Sequence, residues 1–304
     1  TTFYPGTGGK LALTIEAAGG DATDVYGTDL IAKIEQETND ATGESANTYG
    51  LFGQAFATRA LLSEESAEAA KSVEFVANQQ CENGSFKQNL AAACPAVIEV
   101  DTTVVAAQTL IEAKDAGIAG LDDEIAKATA ALLAAQQADG SFIGNGVSNS
   151  NSTGLAAAYL AQVGQTGAAG SAAGWLVKHQ VTDAAAEAGP LATQTGAIAY
   201  DVAALNAGLA DGITDDTRDQ WIRATTDAVV GVNAQLPATT VTVSGAKTFT
   251  SAGSKVKVTA TGLTAGEKFT AKFAGGSEVA GTVPAAGAVS VTLTAPAGTR
   301  ARQV

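Results

Sequence analysis

Few side chains in this sequence have the types and spacing that catalysis or metal binding requires. It holds one histidine, His179, two cysteines, Cys81 and Cys94, and no methionine. A closed zinc site takes about four nitrogen or sulfur ligands. These residues do not supply them, so no metal is expected. A nucleophilic serine needs a base and a strained elbow, and no Gly-x-Ser-x-Gly accompanies His179. Gly6-Thr7-Gly8 and Gly144-Asn145-Gly146 lack the preceding strand of a phosphate loop. Loop 139–151 gathers the oxygen donors Asp139, Asn145, Asn149 and Asn151, but only one is charged, a poor set for calcium. No cofactor is expected.

One carboxylate is placed differently. Asp101, within Glu99-Val100-Asp101-Thr102-Thr103, opens an apolar stretch. At a helix start an Asp caps free backbone N–H groups; buried, it serves as a general acid. Capping is the simpler reading, and it favours a protein that is not an enzyme. Cys81 and Cys94 stand thirteen residues apart with Pro95 next to the second. In an extracellular protein that spacing closes a loop by a disulfide, worth about 3 kcal/mol. Two free buried thiols are the alternative.

Two frameworks carry these residues. Over residues 1–237 apolar positions recur at helical spacing, as in Leu51, Ala55, Leu61 and Leu62 and in Ile125, Leu132 and Leu133. Gly/Asp/Asn clusters break the pattern. It predicts ten helices, starting near Gly8, Thr28, Thr48, Glu64, Asp101, Asp122, Asn151, Ala168, Thr193 and Thr214. From Ala238 the period becomes two, in Thr240–Val243, Lys255–Thr259, Lys268–Phe273 and Val289–Leu293. Turns at Gly245, Gly253, Gly266, Gly275-Gly276 and Gly287 separate these runs. The spacing predicts a small immunoglobulin-like sandwich over 238–304, with Pro237 at the boundary. Arg300–Val304 reads as a strand cut midway, so the chain is expected to be a piece of a longer protein. Residues 238–304 contain neither Asn nor Asp, which excludes a Lys–Asn or Lys–Asp isopeptide bond within them.

Charge divides along the same line. Residues 238–304 hold seven Lys and Arg against Glu267 and Glu278, so residues 1–237 carry −19 of a chain total of −14. An acidic first domain repels phosphate, which argues against nucleic acid as partner. No run of about 18 apolar residues occurs, so no membrane span is expected.

An internal repeat underlies the helical part. Asn47-Thr48-Tyr49-Gly50, Asp101-Thr102-Thr103-Val104, Asn151-Ser152-Thr153-Gly154 and Thr193-Gln194-Thr195-Gly196 each precede an Ala-rich stretch. Between them helices end at Gln79-Gln80, Gln136-Gln137, Gln180 and Gln235, and two run into turns ending Gly84-Ser85-Phe86 and Gly140-Ser141-Phe142. A Phe there is expected to pack under its turn, and lone helix pairs must stack on neighbours.

Gln136-Gln137-Ala138-Asp139-Gly140-Ser141-Phe142, followed by Asn151-Ser152-Thr153-Gly154-Leu155-Ala156-Ala157, resembles the prenyltransferase/squalene-oxidase repeat. The likeness covers residues 8–236. It implies a mainly α architecture, an α/α toroid of about five helix hairpins. Inner helices would start at the polar phrases and outer helices would end at the glutamines. The chain resembles secreted actinobacterial proteins of this type, which implies an extracellular or cell-surface location. Cyclases on this fold use an Asp-x-Asp-Asp stretch. Asp101 falls on the acid's position, but Thr102 replaces the next Asp, which weakens that reading. The thioester phrase Cys-Gly-Glu-Gln is absent around Cys81.

With the catalytic motifs failing one by one, the expectation is a non-catalytic binding or structural protein, whose partner is a small molecule or another chain of a surface assembly. A cobalamin-like carrier and a cyclase-like enzyme using Asp101 are the rivals. Facing the toroid axis, the expected contacts are Asn47, Tyr49, Phe52, Asp101, Asn151, Tyr159, Gln194 and Tyr200.

Overall fold

The computed structural model describes residues 2–187, 189–233, 242–244, 255–261, 268–271, 279–284 and 288–294. Helices dominate. They are α1 (Pro5–Ala17), α2 (Leu30–Glu37), α3 (Leu51–Ser63), α4 (Ala69–Ala77), α5 (Val100–Asp115), α6 (Asp122–Ala135), α7 (Ser150–Gln162), α8 (Thr166–Val177), α9 (Asp183–Glu187), α10 (Val202–Asp211) and α11 (Asp215–Val232). A hairpin of β1 (Ile143–Gly144) and β2 (Val147–Ser148) interrupts the link from α6 to α7. The chain divides into two units, Thr1–Gln235 and Leu236–Val304.

Within the first unit α1, α3, α5, α7 and α11 stand in a row, each against the next. Helix α2 bridges α1 and α3, α4 bridges α3 and α5, α6 packs on α5, and α8 bridges α7 and α11. Neighbours in the row run parallel. Gly6 faces Gly53 while Gly9 faces Phe56, and Asn151 meets Asp227 while Gly154 meets Gly231. The glycines set the distance. A Cβ on Gly154 would lie 2.6 Å from the Ala228 Cα, so only a bare backbone fits there. Small residues that let helices approach closely take the place of bulky anchors. The largest core cluster is mostly Ala, Val and Leu around Phe86, Phe142 and Tyr159.

One turn recurs between the rear helices and the row. Gln80 Nε2 donates to the carbonyls of Gly84 (3.1 Å) and of Glu124 on α6 (2.8 Å). Gln136 Nε2 does the same to Gly140 (3.1 Å) and to Ala168 on α8 (2.9 Å). Asn83 and Asp139 each accept from the N–H and hydroxyl of Ser85 and Ser141. Phe86 and Phe142 are fully buried beneath the turns. Their N–H groups donate to Thr103 Oγ1 (3.0 Å) on α5 and Thr153 Oγ1 (2.9 Å) on α7. Each turn thus fastens one rear helix to the next rear helix and to the following member of the row.

The third such turn corrects the expected helix at Thr193. Gln180 Nε2 donates to the Gly196 carbonyl (3.1 Å), and Ile198 N–H donates to Thr225 Oγ1 (2.9 Å) on α11. Gly196 has a φ of +90° and its N–H binds the Val181 carbonyl. Residues 193–201 therefore form turns paired with 180–181 and do not coil. The turn hands over to α11, so α11 joins the row and α10 lies in an excursion before it. The helix expected to start near Thr214 was read as an outer one; its small residues Ala224, Ala228 and Gly231 are buried and fit it to α7. Helix α9 was not foreseen.

Capping also differs from expectation at two starts. The N-cap of α5 is Glu99, not Asp101, which lies in the first turn. The N-cap of α7 is Asn149, whose Oδ1 accepts the Ser152 N–H (2.9 Å).

The second unit contains a three-stranded antiparallel sheet, ordered β3 (Thr242–Ser244), β4 (Lys255–Thr261), β7 (Ala288–Thr294), and an antiparallel pair β5 (Lys268–Ala271), β6 (Val279–Thr282). Along β7 Val289 and Leu293 are buried while Ser290, Thr292 and Thr294 are exposed, the alternation of a sheet with one covered face. Strand β6, with Ala and Gly at its centre, carried no period-two signal. The Pro237 boundary, Phe273, the turns at Gly245, Gly253, Gly266, Gly275-Gly276 and Gly287, and the cut strand at Arg300–Val304 lie outside the described residues.

Candidate ligand-binding site

Asp101 lines three clefts where the row of parallel helices begins, and two of them also hold other expected contacts. The larger, about 630 Å³, lies between α1 and the starts of α3 and α5. Tyr49, Phe52 and Phe56 form its aromatic wall. Tyr49 is 75% exposed and stacks on Tyr4 with centroids 5.3 Å apart, and Phe52 meets Phe56 edge-on at 5.3 Å. Lys10 Nζ lies 5.5 Å from the Phe56 ring centre, within cation–π range. The neighbouring Tyr4 phenol holds the Tyr49 phenol above its ordinary pKa.

The smaller cleft, about 380 Å³, is polar. Asp101, Asn151, Tyr200, Gln220 and Arg223 line it, with Asn145 and Asn149 from the hairpin side. Asn151 Nδ2 donates to Asp227 Oδ2 at 2.6 Å. Asp101 Oδ1, Asn151 Oδ1 and Ser152 Oγ are buried without a hydrogen-bond partner in the protein. Burial, and to a lesser degree the charge of Asp227, hold the Asp101 carboxyl above its ordinary value. The Ser152 hydroxyl lies beside it and pulls the other way, without meeting the full geometry of a hydrogen bond.

Gln88 links the starts of α3 and α5 and was missed in the sequence. Its carbonyl accepts from Leu51 N–H (3.0 Å), and its Oε1 accepts from Phe52 N–H (3.0 Å) and Thr102 Oγ1 (3.1 Å). Its own N–H donates to Glu99. This residue sits in the loop that the Cys81–Cys94 disulfide closes, with Cα atoms 5.7 Å apart. A lone Gln in an irregular loop gives no periodic signal. Gln220, Arg223 and Asp227 were missed because α11 was assigned to the wrong layer.

The other expected contacts are placed apart. Tyr159 is fully buried, and its hydroxyl shares a hydrogen bond with Thr129 Oγ1 (2.8 Å) on α6, so it faces the rear layer and not a cleft. Burial raises its phenol pKa. Gln194 is exposed in the turn before Gly196, and Asn47 is exposed before α3; neither lines a described cleft. Tyr49, Phe52, Asp101, Asn151 and Tyr200 do.

His179 is buried, stacked on Trp175 at 3.7 Å, with Nδ1 2.9 Å from the Trp175 carbonyl. Of the oxygen donors expected in loop 139–151, Asp139 and Asn149 are engaged locally, with Ser141 and Ser152, while Asn151 donates to Asp227 on α11. Among the described residues no helix is long and apolar enough to cross a membrane.

No protein-family model matches the chain, and no curated protein matches it.

Proposed function

We propose that this chain is a non-catalytic secreted or cell-surface binding protein of the prenyltransferase/squalene-oxidase-repeat type. Residues 1–237 would be an α/α toroid that takes a small ligand at the mouth of its inner helices. Residues 238–304 would be an immunoglobulin-like sandwich serving as spacer or attachment. The observation that carries the binding reading is the 630 Å³ cleft walled by Tyr49, Phe52 and Phe56 with Asp101 and Gln88 at its edge. A concave, mainly apolar site with a few converging polar groups is the usual form of a small-molecule site. The toroid is supported by the parallel row α1, α3, α5, α7, α11 with helices bridging its members, and by the recurring Gln-to-Gly turn. The Cys81–Cys94 disulfide supports the extracellular location, because disulfides persist in oxidising compartments.

Native mass spectrometry of the full chain from its own source tests this. A retained small molecule, lost in Phe52→Ala, is expected. Ligand-free monomer that takes up no apolar probe, such as Nile red, would remove the reading.

The raised pKa of Asp101 favours a second reading, a cyclase-like acid. It requires turnover of a linear polyprene, detected by gas chromatography and lost in Asp101→Asn. Binding without turnover sets it aside.

A further inference from the structure

The polar cleft bounded by Asp101, Asn151, Tyr200, Gln220 and Arg223 has a chemistry of its own, distinct from the aromatic wall beside it. We infer that it is a subsite for a neutral, polyhydroxylated ligand such as a short oligosaccharide; this rests on the binding reading above and specifies what enters that mouth. Three features carry the inference. First, Asp101 Oδ1 and Asn151 Oδ1 are both buried acceptors without partners in the protein, so they call for donors from a ligand. Secondly, the opposite wall supplies donors. Gln220 and Arg223 lie there, and the ion pair of Arg223 to Asp219 (2.9 Å) is exposed and leaves further N–H groups free to turn inward. Hydroxyl groups are the ligand chemistry that donates to one wall and accepts from the other.

Thirdly, the cleft wall is mixed in charge. Arg223 on the cleft wall opposes an ammonium group, while Asp101 and, behind it, Asp227 oppose an anion. Neither sign is favoured over a neutral molecule. Tyr200, half-buried in the same wall, offers a ring edge or face to a sugar's C–H surface. The backbone around these groups is fixed. Ser150 N–H donates to the Tyr200 carbonyl (2.7 Å), and the Asn151–Asp227 bond ties α7 to α11. The site is thus built before any ligand arrives, which reduces the ordering cost of binding.

Saturation-transfer NMR on the full chain tests this with four probes: maltotriose and N,N′-diacetylchitobiose as neutral sugars, spermidine as cation and inorganic phosphate as anion. An array of neutral oligosaccharides extends the sugar arm. Transfer to a neutral sugar is expected, with none to spermidine or phosphate. Asn151→Ala and Asp101→Ala should each weaken that binding by roughly tenfold or more, the loss of a hydrogen bond to a buried acceptor. Gln194→Ala, distant and exposed, should not. Each variant's thermal midpoint is measured alongside, and the wild-type probe arms stand without any variant. Preference for spermidine or phosphate overturns the inference, as does sugar binding that ignores both Asn151→Ala and Asp101→Ala. If the chain takes up Nile red in a Phe52-dependent way but no sugar, this inference falls and the binding reading stands. If it takes up neither, both fall.

Discussion

Asn151 gives its Nδ2–H to Asp227 Oδ2 at 2.6 Å, tying α7 to α11 while its own Oδ1 stays buried and unpaired beside the cleft that Asp101 lines. The bond explains how two helices separated by a long stretch of sequence define one polar wall. A change at the mouth therefore alters both packing and binding.

Asp101 should cost stability at neutral pH. Its folded pKa lies above the ordinary value of 3.8 because burial penalises the charge. The folded state therefore holds its proton more tightly than the unfolded state. Stability from this group is complete below the ordinary value and is lost as pH rises through the higher folded value. Asp101→Asn should then be more stable than wild type at neutral pH, with the difference shrinking as pH falls toward 3.8. Urea midpoints of the two proteins across that range measure it; a difference that grows on acidification would contradict the sign.

The glycine contact between α7 and α11 leaves no room for a methyl group. A Cβ on Gly154 would collide with the Asp227 carbonyl and approach the Ala228 Cα to 2.6 Å. Both are backbone atoms, so relief requires the helices to part. Gly154→Ala should destabilise by about 1–3 kcal/mol. Denaturation followed by fluorescence of Trp175 and Trp221, both buried in this unit, reads it directly.

Three threonines perform one task. Thr103, Thr153 and Thr225 each accept the N–H of the turn before them, at Phe86, Phe142 and Ile198. Replacing any with Val keeps the shape and leaves a backbone donor unpaired. Each should cost about 1–3 kcal/mol. The losses at Thr103 and Thr153, whose Phe partners are fully buried, should be similar, because the repeat places them in like surroundings. Thermal or chemical denaturation of the three variants makes the comparison.

The disulfide should matter for the loop that carries Gln88. Replacing Cys81 and Cys94 with Ser reopens it and should cost about 3 kcal/mol by chain entropy. Because Gln88 holds the starts of α3 and α5 together, the same variant should raise hydrogen exchange at the Leu51 and Phe52 amides. Unchanged exchange there would detach Gln88 from the loop's constraint.

Much of the helical unit was legible, for a local reason. Turns such as Asn83-Gly84-Ser85-Phe86 and Asp139-Gly140-Ser141-Phe142 are made by neighbours in sequence, so the residues state the structure. The phrase Thr193–Gly196 was misleading because Ser, Thr and Gly serve both helix starts and turns. Which of the two forms depends on Gln180, whose amide pins Gly196 across an insertion. Of the site, Tyr49, Phe52, Asp101, Asn151 and Tyr200 were legible as polar or aromatic residues at helix starts. Tyr159 occupies a similar helix, yet packing turned it rearward onto Thr129.

By itself the sequence determined that a helical stretch is followed by strands, which turns recur and which cysteines stand close enough to join, since periodicity and turn chemistry act over a few residues. Only the tertiary structure decided that α11 completes the row, that Gln88 lines one cleft and Gln220 and Arg223 another, and that Asp101 Oδ1 is left without a partner. Those outcomes depend on which helix faces come into contact, and each contact is fixed by glycines and hydrogen bonds supplied from distant parts of the chain.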